Sequence, residues 1–322
     1  MLPNKKHRIV PVISDQKVEQ VDFGRQTPPE NWRSRRLYIR RGAENWCDLA
    51  QHSSYPLQGE DPYDLKKNRS AALDLTSIAT LLSLGPGDGL HDLDIVGQLR
   101  IKRPNLIYIP LDLSRILLEL AIRNLRAHVH IPAGLQCDFE QIPESLEQSM
   151  MDLIKRPVMF SMLGGTVGNF DLGEEHFFDR MLNLMKKGDR LLLDVPLAGP
   201  GWSAERDPRF DTDKYTAEFR KFIAPGLARL KPDYGDPISL EAVKGRIECI
   251  IGNGSDIAKT KVVKIIDRFS NEVILKFCRY NWESIIPWLE SRGFEIRYHQ
   301  CSLKNDSDIF GMGIIMLGSS SL

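Results

Sequence analysis

The sequence predicts an α/β protein: a mostly parallel sheet with helices on both faces, an antiparallel C-terminal hairpin strand, and a smaller α+β region inserted late in the chain. Three observations carry this. Short, continuously apolar runs alternate with amphipathic stretches of helical spacing from about Ser70 to Leu197. Strands apolar on both faces belong to covered parallel sheets. The alternation then breaks, and the last two strand-like runs are joined by a short polar turn that suits a hairpin.

The elements follow in order. Residues 1–60 are irregular and rich in Pro, Arg and Trp, with weak periodicity. "AALDLTSIATLLSLG" reads as a helix running into a buried strand that ends at Gly85, and "LHDLDIVGQLR" as a helix. "NLIYIPLD" is a strand, and "LSRILLELAIRNLRAH" an amphipathic helix with Ser114 as its N-cap. "IPAGLQCD" is a weaker strand, "PESLEQSMMDLI" a helix and "PVMFSMLGG" a buried strand. "EEHFFDRMLNLMKKG" is a helix with Gly188 just past its end, and "DRLLLDVPL" the fifth strand. Residues 197–280 mix a Gly/Pro loop, a helix over "DTDKYTAEFRKFI", and strands near "RIECII", "KTKVVKIIDRFS" and "EVILKFCRY". "NWESIIPWLESRGF" is a helix, and "EIRYHQCSL" and "FGMGIIMLG" form the hairpin, so one reversed strand lies at or near the sheet edge. The expected division is 1–69 as an N-terminal segment serving the substrate side, 70–196 with 281–322 as the cofactor-binding core, and 197–280 as an inserted substrate-binding region.

Lys+Arg and Asp+Glu balance at 43 each, so no bulk field favours nucleic acid or an anionic membrane. The five cysteines are scattered, with no CxxC pair, which argues for free thiols in the cytoplasm and against a zinc knuckle. No run approaches a membrane span. A small-molecule substrate is expected, with no metal, and the oligomeric state is open.

The strand ends carry the chemistry. Gly85, Gly87 and Gly89 surround Asp88 in "LGPGDGL". A glycine-rich turn opening a helix lets the backbone approach a ligand. The dinucleotide pattern G-x-G-x-x-G would need glycine at position 90, which is Leu90. Asp112, followed by Leu113, ends the second strand, where an acid binds ribose hydroxyls. Asp138 and Phe139 end the third, suited to an adenine amino group and ring face. This series suits S-adenosylmethionine as well as NAD; the missing third glycine and the hairpin favour the methyl donor. The fourth strand delivers "LGGTVGNFD", with Gly164, Gly165 and Thr166 at the edge and Asn169 offering both a donor and an acceptor to an amino-acid group.

"YIPLDLS", "LGGTVGNFD", "KKGDRLLLDVPL" and "YTAEFRKF" together resemble the histidine-specific methyltransferase family, from about Tyr63 to the C-terminus. The resemblance implies a class I, Rossmann-like, S-adenosylmethionine-dependent fold, with S-adenosylhomocysteine as product. It implies Gly85, Gly87, Asp88 and Gly164 at the cofactor, Asp112 and Leu113 at the ribose, Asp138 and Phe139 at the adenine, and Gly165, Thr166 and Asn169 towards the substrate. Tyr63 matches one substrate tyrosine of the family, and Phe210 stands where a second would be. Family members hold the imidazole with a glutamate and a serine before a Lys-aromatic pair. If Arg279-Tyr280 takes that pair's place, these positions fall on Leu275 and Phe277; a register on Lys276-Phe277 gives Glu272 and Ile274. Either register lacks the serine. An apolar pocket, with Trp202 as a further wall, suits an indole or other tryptophan-derived substrate of secondary metabolism, methylated at N or C. A base for an indole carbon would be Tyr63, Asp211 or Glu218. The alternatives are Nα-methylation of histidine or another amino acid, an NAD-dependent oxidoreductase, or a non-catalytic binding module.

Overall fold

The computed structural model describes residues 8–11, 32–52, 62–74, 77–141, 150, 152–170, 172–202, 216–227, 240–253, 261–305 and 308–319. The central sheet comprises β1 (Arg8–Pro11), β2 (Thr80–Leu84), β3 (Ile107–Asp112), β4 (Ala133–Gln136), β5 (Val158–Met162), β6 (Arg190–Ala198), β10 (Phe294–Cys301) and β11 (Phe310–Ser319), in the spatial order β1-β4-β3-β2-β5-β6-β11-β10. Pairings from β1 to β6 are parallel. Only β11 is reversed, antiparallel to both β6 and the edge strand β10, as the polar turn of the sequence predicts. β2, β3, β4 and β5 are buried at every residue, because helices cover both faces.

Those helices are α2 (Leu65–Asp74), α3 (Leu90–Lys102), α4 (Arg115–Leu125), α5 (Glu174–Leu184) and α8 (Trp282–Ser291). Ser114 caps α4 by accepting from the Leu117 N–H at 3.3 Å, and Asn281 caps α8 by accepting from the Ser284 N–H at 3.1 Å. α5 stops at Leu184, earlier than expected. Gly188, at φ +94°, instead serves the turn into β6 that the Asp189 N–H closes onto the Lys186 carbonyl. Most of "PESLEQSMMDLI" lies outside the described residues.

The chain runs from β2 to β3 and β4 on one side, then returns to β5 on the other. The switch point between β2 and β5, at the carboxyl ends of the strands, is where open α/β sheets bind ligands.

A second, antiparallel sheet, β7 (Ile247–Asn253), β8 (Lys261–Asp267) and β9 (Glu272–Arg279), lies with α6 (Ala217–Leu227) and α7 (Leu240–Arg246). The described residues of the N-terminal segment, read as irregular, form regular elements and divide between the two sheets. A 3-10 turn over Trp32–Tyr38 and α1 (Arg41–Gln51) join the second sheet: Leu37 and Leu49 share a core with Phe222, Ile223, Val243, Ile265 and Ile274. β1 and α2 join the central sheet instead, with Leu65, Ala72 and Leu73 in its core. Among the described residues, no helix is long and apolar enough to cross a membrane.

Candidate active site

A cavity of about 360 Å³ opens at the switch point. The turn after β2 forms its floor, the ends of β3, β4 and β5 its sides, and the N-terminal turn with α1 its roof. Gly85, Gly87, Asp88, Asp112, Leu113, Asp138, Phe139, Gly164, Gly165, Thr166, Asn169 and Leu275 all line it. Residues far apart in sequence thus converge because each follows a parallel strand or, for Leu275, lies on β9.

The glycine turn is shaped by its neighbours. Gly87 has φ +59°, and a Cβ there would lie 2.5 Å from the Trp46 ring. Only glycine meets both demands. The Gly85 N–H donates to the Leu111 carbonyl at 2.8 Å, and Asp88 Oδ1 accepts from the Leu90 N–H at 3.1 Å, closing the first turn of α3.

Asp112 is 7 % exposed. Burial pushes its carboxyl up to about 7, against the opposing pull of backbone N–H groups of Ser114, Gly87 and Leu113. Asp138 accepts from the Glu140 N–H at 3.0 Å and lies 2.7 Å from Arg35 Nη1, so this acid already holds a cation from the roof. Asn169 has a buried Oδ1 with no hydrogen-bond partner among the described residues. An orphaned buried acceptor on a cavity wall marks a place for a donor.

Several wall residues have no counterpart among the sequence-derived candidates. Arg35, Tyr38 and Trp46 come from the N-terminal segment. No local pattern aims that segment at the glycine turn; its Arg and Trp content was the only hint. His91 and Asp92 follow Gly89 in the first turn of α3. Burial, with the Arg69 charge second, lowers the His91 pKa and so disfavours the charged ring. Asp92 is fully buried, accepts from the Tyr108 hydroxyl at 2.6 Å and is raised to about 6 by burial.

Other expected site residues sit elsewhere. Tyr63, at φ +60°, lines a separate open recess with Asp64, Ser302, Lys304 and Phe310. Glu218 pairs with His52 at 3.5 Å, Trp202 has the Lys261 ammonium 6.0 Å from its ring, and Phe277 packs onto the second core. None of these four is among the described residues that line the cavity. Phe210 and Asp211 lie outside the described residues.

The profile of the histidine-specific, S-adenosylmethionine-dependent methyltransferases matches residues 18–200, more than half of the chain. The chain belongs to this family. It is an S-adenosylmethionine-dependent methyltransferase, and the dinucleotide alternative falls away. Curated proteins give no match in sequence. Solved structures similar to this methyltransferase include an S-adenosylmethionine-dependent methyltransferase from Clostridium acetobutylicum, at 14 % identity over 80 % of this chain and 90 % of that one, TM-score 0.40. Another is from Methanosarcina mazei, at 11 % identity over 77 % and 95 %, TM-score 0.41. A third is a glycopeptide N-methyltransferase complexed with sinefungin, at 10 % identity over 88 % and 99 %, TM-score 0.42.

The residues present fit the cofactor. The glycine turn lines the cavity without side chains of its own at Gly85 and Gly87, a buried carboxylate ends β3 where a diol can donate to it, and an aromatic edge and a second acid follow β4. One expectation is refined. The Gly164 N–H is already taken by Asp194 Oδ2 at 2.8 Å, so Gly164 offers a ligand its carbonyl and its lack of a side chain.

Proposed function

We propose that this methyltransferase acts on a small aromatic substrate derived from an amino acid, an indole or tryptophan derivative, methylated at nitrogen or carbon within secondary metabolism. One observation carries the reading: the residue that β9 gives to the cavity is Leu275, faced by Tyr38 and Trp46 in the same wall set. In the other register, Glu272 is exposed at the start of β9, and Ile274 is packed against Gly226 in the second core. Neither register turns a polar pair towards the substrate. A buried carboxylate facing an indole would be costly, and an aliphatic residue facing an imidazole would leave its N–H groups unpaired.

In this reading Gly85, Gly87 and Asp88 hold the methionine part of the cofactor, Asp112 and Leu113 the ribose, and Asp138 with Phe139 the adenine. When bound, S-adenosylmethionine supplies an electrophilic methyl group. The chain's own task is approach and orientation. Gly165 and Thr166 leave room on the acceptor side. The orphaned Asn169 Oδ1 accepts from the substrate's amino group, and Tyr38, Trp46 and Leu275 hold its ring and exclude water. An unprotonated amine then attacks without a strong base. The cofactor core spans 70–196 and 281–322. The N-terminal segment and the insertion at 197–280 serve the substrate side, with Leu37 and Leu49 of the first sharing a core with Phe222, Ile265 and Ile274 of the second.

Mass spectrometry of turnovers with histidine, tryptophan, tryptamine and cyclic tryptophan dipeptides tests this. The expected result is a singly methylated indolic product and unmodified histidine. Methylation of histidine alone would refute it.

A further inference from the structure

Asp194 stands in the middle of β6, a charged residue between apolar neighbours, and is fully buried. Such a group demands partners. It has two, from different parts of the chain. Arg69 of α2, 4 % exposed, donates from Nε to Oδ1 at 3.1 Å and from Nη2 to Oδ2. Oδ2 also accepts from the Gly164 N–H at 2.8 Å. Gly164 begins the loop that forms the cavity wall through Asn169. The far end of that loop is tied to the second sheet, where the Cys278 N–H of β9 donates to the Gly168 carbonyl at 3.0 Å. Inside it, the Thr166 hydroxyl donates to the Leu163 carbonyl and the Asn169 N–H to the Thr166 carbonyl. The wall is therefore strung between two anchors.

A buried ion pair is a poor source of stability, since apolar residues of similar volume often serve as well. Its geometry is what apolar residues cannot supply. We infer that Asp194 is a positioning residue of the methyltransferase: it fixes Gly164 and so sets the wall between cofactor and acceptor, while Arg69 neutralises the charge that Asp194 buries. This rests on the reading of Gly164 as part of the cofactor wall.

Paired substitutions in the full chain test it, with thermal unfolding by circular dichroism and titration with S-adenosylhomocysteine. Arg69→Met with Asp194→Leu removes both charges and the acceptor while keeping volume. Arg69→Met with Asp194→Asn removes the charges but keeps an amide oxygen for the Gly164 N–H. The first pair is expected to fold and to bind about tenfold or more weakly. The second should bind within about threefold of the parent. Parent-like binding by the folded Leu pair, or equal losses in both folded pairs, would overturn the inference. Should the Leu pair not fold, the Asn pair is read also by hydrogen exchange at the Gly164 amide: near-parent affinity with that amide protected upholds the account, and near-parent affinity with it exchanging freely, or a loss of about tenfold, overturns it. Asp112→Ala is run alongside. If it leaves affinity unchanged, the placement of the cofactor wall itself has failed; if it weakens binding while the Leu pair does not, only this inference has.

Discussion

The floor and the roof of the cavity do different work. The floor, counted with the sides, is backbone and carboxylates at strand ends: Gly85, Gly87, Asp112 and Asp138. Each is held by short-range bonds, such as Gly85 to Leu111 and Asp112 to the Ser114 N–H at 2.8 Å. The roof is side chains from the N-terminal segment and β9, namely Tyr38, Trp46 and Leu275, packed on a separate core. In the proposed reading the floor answers to the cofactor that the family shares. The roof then answers to whatever accepts the methyl group, and Arg35 reaches from it to Asp138. On that reading cofactor binding is set by geometry that few substitutions tolerate, and substrate choice by packing that many can change.

The largest effect should come where floor and roof touch. Gly87→Val adds branches to a position already 2.5 Å from Trp46 for its Cβ, at φ +59°. Strain and overpacking together should weaken S-adenosylhomocysteine binding by about 3 kcal/mol in calorimetry. Adding Trp46→Ala should return part of that loss but not the backbone strain. Full recovery would show that sterics alone set this position.

Asp112→Ala should cost about 1–3 kcal/mol of cofactor affinity. Its pH dependence is sharper still. The carboxyl sits at about 7 in the protein, and a diol donates both hydroxyls only to the ionised form. Affinity should therefore fall as pH drops through 7, by up to about tenfold per unit, and level off above about 8. Asp112→Asn should flatten that profile; a profile that persists points to another group.

Roof substitutions should leave the cofactor alone. Leu275→Ala should lower kcat/KM for an indolic acceptor by about 2–3 kcal/mol and leave S-adenosylhomocysteine affinity unchanged. A drop in both would mean that the two walls are not separable. The smallest change is expected at Glu218, whose partly exposed pair with His52 ties α6 to α1. Glu218→Gln should shift stability by less than about 1 kcal/mol and spare turnover. Loss of turnover would make Glu218 the missing base.

How much was legible follows the same division. The parallel sheet, the reversed β11 and the floor residues follow from local signals: apolar runs, turn glycines and acids at strand ends. Leu275 was found only through spacing to a family pattern, which left two registers open; the burial of Ile274 and exposure of Glu272 show why neither brings polarity to the cavity. Tyr38, Trp46 and Arg35 were missed because their approach to Gly87 and Asp138 depends on tertiary packing, through Leu37 and Leu49, that no local period encodes. Tyr63 was misplaced for the opposite reason. A motif match brought it near the site, but its left-handed backbone turns it into a different recess beside Lys304. Asp194 carried its own signal, an acid amid "LLLDVPL", whose partners only the fold reveals.

The most direct test of the central claim is a competition assay with methyl-labelled S-adenosylmethionine and equal concentrations of tryptophan and histidine, reading the ratio of their kcat/KM values. An apolar, aromatic roof predicts that label enters the tryptophan product in large excess, and that Leu275→Glu narrows the ratio. Label passing chiefly to histidine in the parent enzyme would contradict the account.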